Sequence, residues 1–296
     1  MFSPSRAGIL IVMNDEIALR AESVTKAYGE VRALRGVNLE VLRGECVALL
    51  GPNGAGKTTM TEIFEGYRKR DSGLVEVLGH DPEVEDLEWR TRLGIVLQHA
   101  NDLMDITVLE AVSHFALFYP RPADVDEVIA AVGLEHKRTA KVRHLSGGQR
   151  RRLDVALGVI GQPEVLFLDE PTTGFDPEAR RQFWTLIEDL KKRGTTILLT
   201  THYLDEAEAL ADRVAIIAHG QVLADDSPSA LRSSLAGTAR VRWLEDGVVQ
   251  EQATEWPTEF VGGLMQRFDG EIPQLAVVRP SLEDVYLELV SNGVDA

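Results

Sequence analysis

Short, continuous apolar runs predict the central strands of the chain. Three of them, at 46–50, 165–168 and 196–200, have the composition of strands that are buried on both faces. One helix is predicted to begin near Lys57, directly after the first run, and another to lie at 177–192, between the other two. Strands that alternate with helices in this way predict a mostly parallel α/β sheet.

The regions next to this alternation have different patterns. Near the N-terminus, strands are predicted at 17–21 and 37–41 around a turn at Tyr28-Gly29. Residues 85–160 have a mostly helical periodicity, with helices at 108–118 and 124–132. The first pattern predicts an antiparallel β region, and the second predicts a helical one.

After Arg213 the elements become short and mixed. A hairpin is predicted to turn at His219-Gly220. Beyond it, the pattern predicts a helix at 230–235, strands at 239–243 and 247–252, a helix at 257–268, a strand at 275–278 and a helix at 281–290. Ser281 and Asp284 have the spacing of a capping box at the start of the last helix. This mixture predicts a small α+β extension.

The composition restricts the partners that the protein can bind. With 31 Lys and Arg residues against 47 Asp and Glu residues, the 296-residue chain has a formal net charge of -16. This balance disfavours nonspecific binding to nucleic acid or to anionic lipid, because both need a basic surface. No stretch approaches the roughly 20 apolar residues that span a bilayer. A membrane role therefore requires a separate membrane partner.

The single cysteine, Cys46, cannot form an internal disulfide, which favours a reducing, cytoplasmic environment. Because it lies within an apolar run, we interpret it as a small buried hydrophobic side chain rather than a reactive thiol. Residues 1–15 are expected to be an N-terminal extension, with Met13 as an alternative start to Met1.

A glycine-rich loop joins the first buried strand to the helix at Lys57. It consists of Gly51, Pro52, Asn53, Gly54, Ala55, Gly56, Lys57, Thr58 and Thr59. The spacing GxxxxGK[ST] between a strand and a helix indicates a P-loop, in which backbone N–H groups and a helix N-terminus surround phosphate oxygens. We expect Lys57 to reach the β- and γ-phosphates of ATP and the Thr58 hydroxyl to bind Mg²⁺. The alternative is a glycine turn that binds no ligand.

Two acids, Asp169 and Glu170, end the second buried strand. Ligands bind at the carboxyl edge of such sheets, so Asp169 is placed to hold Mg²⁺ and Glu170 to orient and polarise the attacking water. An apolar strand that ends in Asp-Glu is weak support by itself, since many strands end in acidic turns. Together with the P-loop earlier in the chain, this strand end is strong support for a nucleotide site.

The pentapeptide Leu145-Ser146-Gly147-Gly148-Gln149 separates this chain from other P-loop proteins. With the motifs above, it resembles the ATP-binding-cassette (ABC) family, from about residue 17 to about residue 225. In that family the pentapeptide opens a helix and grips the γ-phosphate of ATP on the opposite subunit. The resemblance therefore implies that Ser146, Gly147, Gly148 and Gln149 bind ATP, and hydroxyl and N–H groups at a helix start suit an anion. The alternative is that Ser146 only caps the helix after a flexible turn.

Four further positions match family motifs, in the family's order. They are Tyr28, implied to stack on adenine; Gln98, implied to contact Mg²⁺ and the attacking water; Asp176, implied to lie in the nucleotide-binding loop that communicates across the dimer; and His202, implied to sense the γ-phosphate. Their local alternatives are a turn tyrosine, a solvated strand end, an N-cap before Pro177 and a structural histidine. Phe175 departs from the family, which usually has leucine there.

The resemblance implies an α/β fold of the P-loop NTPase (ABC ATPase) class. An antiparallel β subdomain and a helical subdomain at about 85–160 are implied within a nucleotide-binding domain at 16–228, followed by an accessory α+β domain at 229–296. The implied activity is hydrolysis of ATP to ADP and phosphate. If the P-loop and the pentapeptide act on one ATP only across an interface, one chain cannot complete a site, whereas two chains complete two. The implied partners are a second copy or a homologous cassette subunit and a separate polytopic membrane subunit, without nucleic acid.

Glu65-Gly66-Tyr67-Arg68 and residues 280–286 resemble the drug-exporter, daunorubicin-resistance branch. This implies an exporter ATPase on the inner face of the cell membrane, whose cargo is recognised by the membrane subunit. Import remains an alternative to export. For the C-terminal extension, the alternative is a small packing domain that only stabilises the dimer. The alternative function is a soluble cassette ATPase that acts on ribosomes or another macromolecule, although such proteins usually carry two cassettes and a basic linker. A chromosome-repair ATPase would need a long coiled coil, and the sequence has no heptad run.

Overall fold

The computed structural model describes residues 16–84, 87–96, 105–234, 239–268, 270–278 and 281–292. The strands are β1 (Ile17–Tyr28), β2 (Val31–Leu42), β3 (Cys46–Leu50), β4 (Ser72–Val77), β5 (Leu93–Val96), β6 (Val165–Asp169), β7 (Thr196–Thr201), β8 (Arg213–Ala218), β9 (Gln221–Asp226), β10 (Ala239–Glu245), β11 (Val248–Thr254) and β12 (Ala276–Val278). The helices are α1 (Lys57–Phe64), α2 (Leu87–Arg90), α3 (Val108–Ala116), α4 (Val125–Ala131), α5 (Gly147–Val159), α6 (Pro177–Lys192), α7 (Leu204–Leu210), α8 (Pro228–Ser234), α9 (Pro257–Met265) and α10 (Leu282–Asn292).

The central sheet has the order β5-β6-β7-β3-β8-β9 within the described residues. Neighbouring strands from β5 to β8 in this order pair in parallel. Every residue of β3 and β7 is buried, as expected for parallel strands with both faces covered. Leu50 pairs with Thr201, and Asp169 pairs with Thr200, so the carboxyl ends of β3, β6 and β7 meet at one edge. The predicted parallel α/β sheet is confirmed.

A second sheet, antiparallel with the order β2-β1-β4 in the described part of the chain, accounts for the predicted β region. β1 and β2 are longer than predicted, because their pairing continues through polar residues as far as Tyr28 and Val31. β4 was missed, since its first three residues are exposed and show no alternation. Leu19, Val37 and Val75 belong to the same buried cluster as Phe64 of α1, so this sheet packs against the helix that follows the P-loop.

The helices α3, α4 and α5 pack against one another and form the helical part. α3 begins with a capping box, in which Thr107 and Glu110 exchange hydrogen bonds. The helical part begins later than predicted, because β5, within the predicted range, belongs to the central sheet. Gly94 lets β5 approach α5 closely, since a Cβ there would lie 2.3 Å from the Gly158 carbonyl oxygen.

The chain divides after Leu223, and residues 224–296 form a second unit. In its described residues, β10 lies between β11 and β12 in an antiparallel sheet. A buried cluster between this sheet and α9 consists of Val241, Trp243, Leu264 and Ile272. The α+β character of the extension is confirmed, while the limits 16–228 and 229–296 stay predictions.

The last helix, α10, begins with the predicted capping box. The Ser281 hydroxyl accepts the Asp284 N–H at 3.2 Å, and the Asp284 carboxylate accepts the Ser281 N–H at 2.8 Å. The hydrogen bond from the Ser281 backbone holds the pKa of Asp284 below its usual range. A spacing that was visible in the sequence therefore determines where this helix begins.

Candidate active site

The loop between β3 and α1 requires glycine at two positions. Gly56 has a φ of 107°, and a Cβ there would lie 2.6 Å from the Ala33 carbonyl oxygen. A Cβ at Gly51 would lie 2.2 Å from the Ile217 carbonyl oxygen. These close approaches set the course of the loop. α1 then begins at Lys57 without a side-chain N-cap, an arrangement that leaves its first N–H groups available to an anion.

Lys57 is buried beside this loop. Its Nζ donates to the carbonyl oxygens of Gly51 at 2.8 Å and Pro52 at 3.1 Å, and it lies 3.9 Å from Glu170 Oε1. Burial lowers the pKa of Lys57, and the carboxylates of Glu170 and Asp169 oppose that shift. The ammonium group is therefore held at the loop and opposite the acids that end β6.

Thr200 of β7 positions both of those acids. Its hydroxyl donates to Asp169 Oδ1 at 2.5 Å and accepts the Glu170 N–H at 3.0 Å, which uses its one donor and one of its acceptor positions. Glu170 has a φ of 43°, in the left-handed region that is unfavourable for residues with a Cβ. Such strain persists where the surrounding structure imposes it, and it is concentrated at functional sites.

His202 follows β7 and lies beside Glu170, with 3.3 Å between His202 Nδ1 and Glu170 Oε1. Its ring lies 4.1 Å from the Tyr203 ring, and the Arg180 guanidinium carbon lies 5.0 Å from the Tyr203 ring centroid. A cluster that we call the Lys57 edge thus forms from residues far apart in the sequence. It comprises Lys57, Asp169, Glu170 and His202.

Tyr28 ends β1 and is 40% exposed. Two cations lie near its ring: Lys26 Nζ is 5.7 Å and Arg68 Cζ is 5.1 Å from the centroid. Each cation is held by a carboxylate, Lys26 by Asp71 at 2.7 Å and Arg68 by Glu62 at 2.5 Å. The ring is therefore oriented by its neighbours and presents an aromatic surface that suits a base.

Ser146 is the N-cap of α5. Its Oγ accepts the Gln149 N–H at 3.3 Å, and Gln149 Oε1 accepts the Ser146 N–H at 3.1 Å. A Cβ added at Gly147 would meet no atom within 4 Å, so its backbone is open to solvent. A pocket of about 360 Å³, which we call the Ser146 pocket, lies here. Its described lining comprises Ser146, Gly147, Gly148, Gln149, Arg152, Gly174, Phe175, Asp176, Glu178, Ala179 and Gln182.

Asp176 caps α6, because its Oδ1 accepts the Ala179 N–H at 2.8 Å ahead of Pro177. The local roles considered for Ser146 and Asp176, helix capping, are thus present, and both side chains also line the Ser146 pocket. The Phe175 ring packs edge-on against Phe183 at 5.9 Å between centroids. The ring that replaces the family's leucine is accommodated against the chain's own helix.

Gln98 lies outside the described residues, as does the rest of 97–104. Two contributors to the site were not singled out by the sequence. Thr200 had no motif. Arg151 donates to the carbonyl oxygens of Asp169 and Pro171, and its position on the buried stripe of α5 with Val155 is the signal that could have revealed it.

Comparison with known proteins shows the family of the chain. The sequence profile described as ABC transporter matches residues 34–173. A daunorubicin resistance ATP-binding protein of Streptomyces coeruleorubidus is 40% identical over 307 aligned residues, which cover 94% of this chain and 97% of that protein. The chain belongs to the ABC transporter family.

Other ABC proteins show the same likeness. A Nod factor export ATP-binding protein I of Paraburkholderia xenovorans is 40% identical over 227 residues, which cover 75% of each chain. A solved dimeric ATP-binding cassette in a post-hydrolysis state, bound to ADP and Pi, is 27% identical with a TM-score of 0.64, covering 71% of this chain and 98% of that one.

The protein is therefore an ABC ATPase, an ATP-binding and ATP-hydrolysing subunit of a transporter. Its fold is the one predicted for an ABC ATPase, with an antiparallel β part, a helical part and an α+β extension. In the part of the chain that the structure describes, no helix is long and apolar enough to cross a bilayer.

Proposed function

We propose that the chain dimerises, with itself or with a homologous cassette subunit, and holds two Mg-ATP molecules between the P-loop of one subunit and the Ser146 pentapeptide of the other. The observation that carries this proposal is the separation of the two half-sites. Among the described residues that line the Ser146 pocket, none belongs to the Lys57 edge. An ATP molecule held at Lys57 is therefore completed by the Ser146 pocket of a second subunit.

Each residue of the predicted site has a role in this proposal. The loop from Gly51 to Thr59 and Lys57 bind the phosphates, and Tyr28 stacks on the adenine. From the partner, the pentapeptide N–H groups and the Ser146 hydroxyl bind the γ-phosphate, and Asp176 lies next to them. On binding, Lys57 exchanges the Gly51 and Pro52 carbonyl oxygens for phosphate oxygens, which are stronger partners for an ammonium group.

The donor set at the Lys57 edge fits Mg²⁺, which prefers oxygen ligands. Thr58 is exposed at the start of α1, and the Asp169 carboxylate is oriented by Thr200. Thr58, Asp169 and Gln98 would hold the ion, which neutralises phosphate charge when bound.

Glu170 is the general base of hydrolysis in this proposal. Its carboxylate orients a water molecule and accepts its proton as the water oxygen bonds to the γ-phosphorus. The bond from that phosphorus to the bridging oxygen breaks, and ADP and phosphate are formed. His202, in the tautomer protonated at Nδ1, donates towards Glu170 and places its other nitrogen near the γ-phosphate. Lys57 stabilises the charge on the phosphate oxygens.

The relatives favour export as the coupled process, since they are named for daunorubicin resistance and for Nod factor export. We infer that the chain acts on the cytoplasmic face of the cell membrane through a separate polytopic subunit, which recognises the cargo. Residues 16–228 form the motor domain and residues 229–296 an accessory domain in this proposal.

The experiment that tests the hydrolytic assignment is Glu170→Gln. The amide keeps the shape of the side chain but cannot accept a proton, so we expect ATP binding to persist while turnover falls by about 100-fold or more. Size-exclusion chromatography with Mg-ATP should then reveal a dimer that is absent without nucleotide. Turnover at the wild-type rate would contradict the role of Glu170.

The coupling to transport is tested by affinity purification from detergent-solubilised membranes. A co-purifying polytopic membrane protein supports the proposal. Co-purifying ribosomal proteins without a membrane protein would favour the soluble alternative.

A further inference from the structure

Arg151, on α5, contacts the backbone on both sides of Glu170. Its Nη2 donates to the Asp169 carbonyl oxygen at 2.7 Å, and its Nε donates to the Pro171 carbonyl oxygen at 3.1 Å. Arg151 is 7% exposed, although it lies only a few residues from the open start of α5. A buried guanidinium therefore spans the residue that ends β6 and the one that follows Glu170.

Glu170 needs such support, because its backbone is strained. A left-handed φ is unfavourable for a residue with a Cβ and persists only where the surroundings determine it. Thr200 accepts the Glu170 N–H from one side, at its hydroxyl and at its carbonyl oxygen. Arg151 holds the two flanking carbonyl oxygens from the other side. The peptide group that joins Asp169 to Glu170 is thus held at both its N–H and its carbonyl oxygen, and the Pro171 carbonyl oxygen is held one residue beyond Glu170. These contacts constrain the direction of the Glu170 side chain.

The charge of Arg151 is balanced where it is buried. Burial lowers the pKa of Arg151, and the carboxylates of Asp154, Asp169 and Glu206 oppose that shift. Asp154 Oδ2 lies 4.0 Å from Arg151 Nη1, and Glu206 is fully buried. The fork of a guanidinium can donate to two separate carbonyl oxygens at once, whereas a lysine ammonium is a single point on a flexible chain.

We propose that Arg151 is a positioning residue of the ATPase, which holds the Glu170 backbone in the orientation for hydrolysis. The proposal rests on the proposed role of Glu170 as general base. Arg151 lies on α5, the helix that Ser146 caps. In the proposed dimer, Ser146 contacts the ATP bound to the partner and Glu170 acts on the ATP bound to its own subunit. Arg151 therefore connects the two half-sites of one subunit.

The test compares Arg151→Met and Arg151→Lys with a matched control, Arg92→Met. Arg92 supports the opposite end of β6, where its Nε donates to Glu164 Oε1 at 2.5 Å. We expect kcat to fall by about tenfold or more in Arg151→Met, with KM for ATP and the affinity for a fluorescent ATP analogue changed by less than about threefold. Arg151→Lys should recover part of kcat, and Arg92→Met should lower Tm while keeping kcat within about twofold of the wild type.

A second measurement separates positioning from a general loss of structure. Glu170→Asp shortens the side chain by one methylene and moves the carboxylate away from the attacking water. In this background the orientation of the backbone matters less, so Arg151→Met should lower kcat much less than it does in the wild type. An equal loss in both backgrounds would overturn the proposal, as would a folded Arg151→Met with wild-type kcat. If Arg151→Met does not fold, a folded Arg151→Lys with unchanged kcat and KM overturns it. Wild-type turnover in Glu170→Gln would instead refute the role of Glu170 itself.

Discussion

The Lys57 edge and the Ser146 pocket are built by different kinds of contact. At the Lys57 edge the contacts join distant parts of the chain: Lys57 to Glu170, Glu170 to His202 and Thr200 to Asp169. At the Ser146 pocket the two capping hydrogen bonds are local, since Ser146 accepts the Gln149 N–H and Asp176 accepts the Ala179 N–H. One longer-range hydrogen bond, from Arg152 Nη1 to Gln182 Oε1 at 3.1 Å, joins the two helices. The first site is assembled by the tertiary fold. The second is two capped helix starts on an open surface, which suits a group that arrives from another molecule.

Ser146→Arg should have the largest effect on ATPase activity, because the arginine side chain fills the Ser146 pocket and leaves the Lys57 edge unchanged. We expect a fluorescent ATP analogue to bind monomers as in the wild type, while ATPase activity falls by about 100-fold or more because the closed dimer cannot form. Thermal melting should change little, since the replaced contact is a local cap. Unchanged ATPase activity would show that the Ser146 pocket does not complete the site.

Thr200→Val should have a smaller effect at the other site. Valine has nearly the same shape but cannot hydrogen-bond to Asp169 or accept the Glu170 N–H, so we expect kcat to fall by about tenfold. Thr196→Val is the matched control, because Thr196 is buried in the same strand and its hydroxyl accepts the Gly44 N–H at 3.0 Å. Equal losses of kcat in both variants would mean that the strand, and not the acids, had been disturbed.

This contrast also explains what the sequence could predict. The capping box at Ser281, the P-loop and the helix at 177–192 depend on residues a few positions apart, and the structure has them where they were predicted. The parallel sheet followed from apolar runs that need cover on both faces.

The supports of the Lys57 edge could not be predicted in the same way. Thr200 acts on Asp169 from another strand, and Arg151 acts on the backbone around Glu170 from another helix. The buried stripe of α5 marks Arg151 as a buried arginine, but the residues next to Thr200 and Arg151 in the sequence do not show which groups they contact, since each contact depends on register and packing. β4 was missed for a related reason: its partner strand β1, and not its own alternation, makes it a strand.

The pH dependence of stability should distinguish the two sites further, because charge is buried near the Lys57 edge. Burial, aided by the charges of Asp169 and Glu62, raises the pKa of Glu65 from 4.5 to about 7. The folded state therefore binds this proton more tightly than the unfolded chain, so stability is lost as pH rises from about 4.5 to about 7.

Glu65→Gln removes that charge and nearly keeps the shape of the side chain. We expect the variant to be more stable than the wild type at pH 8, by at most about 3 kcal/mol, with a difference that shrinks towards pH 5. Thermal melting without nucleotide or Mg²⁺ measures it. Glu164→Gln is the control, because it breaks the ion pairs with Arg43 and Arg92 and should not stabilise the protein at pH 8. If Glu65→Gln were no more stable than the wild type at pH 8, the raised pKa of Glu65 would be contradicted.

Phe175→Leu should have the smallest effect and tests whether the Ser146 pocket tolerates side-chain changes that leave its backbone intact. The substitution restores the family's usual residue and removes the edge-on contact with Phe183, which is worth about 0.5–1.5 kcal/mol. We expect a slightly lower Tm and ATPase activity within about twofold of the wild type. In a double-mutant cycle with Phe183→Leu, the loss of stability should be less than additive, because either change removes the same contact. If ATPase activity fell by about tenfold while Tm stayed constant, the ring would have to contact the partner subunit, and packing against α6 would not be its main role.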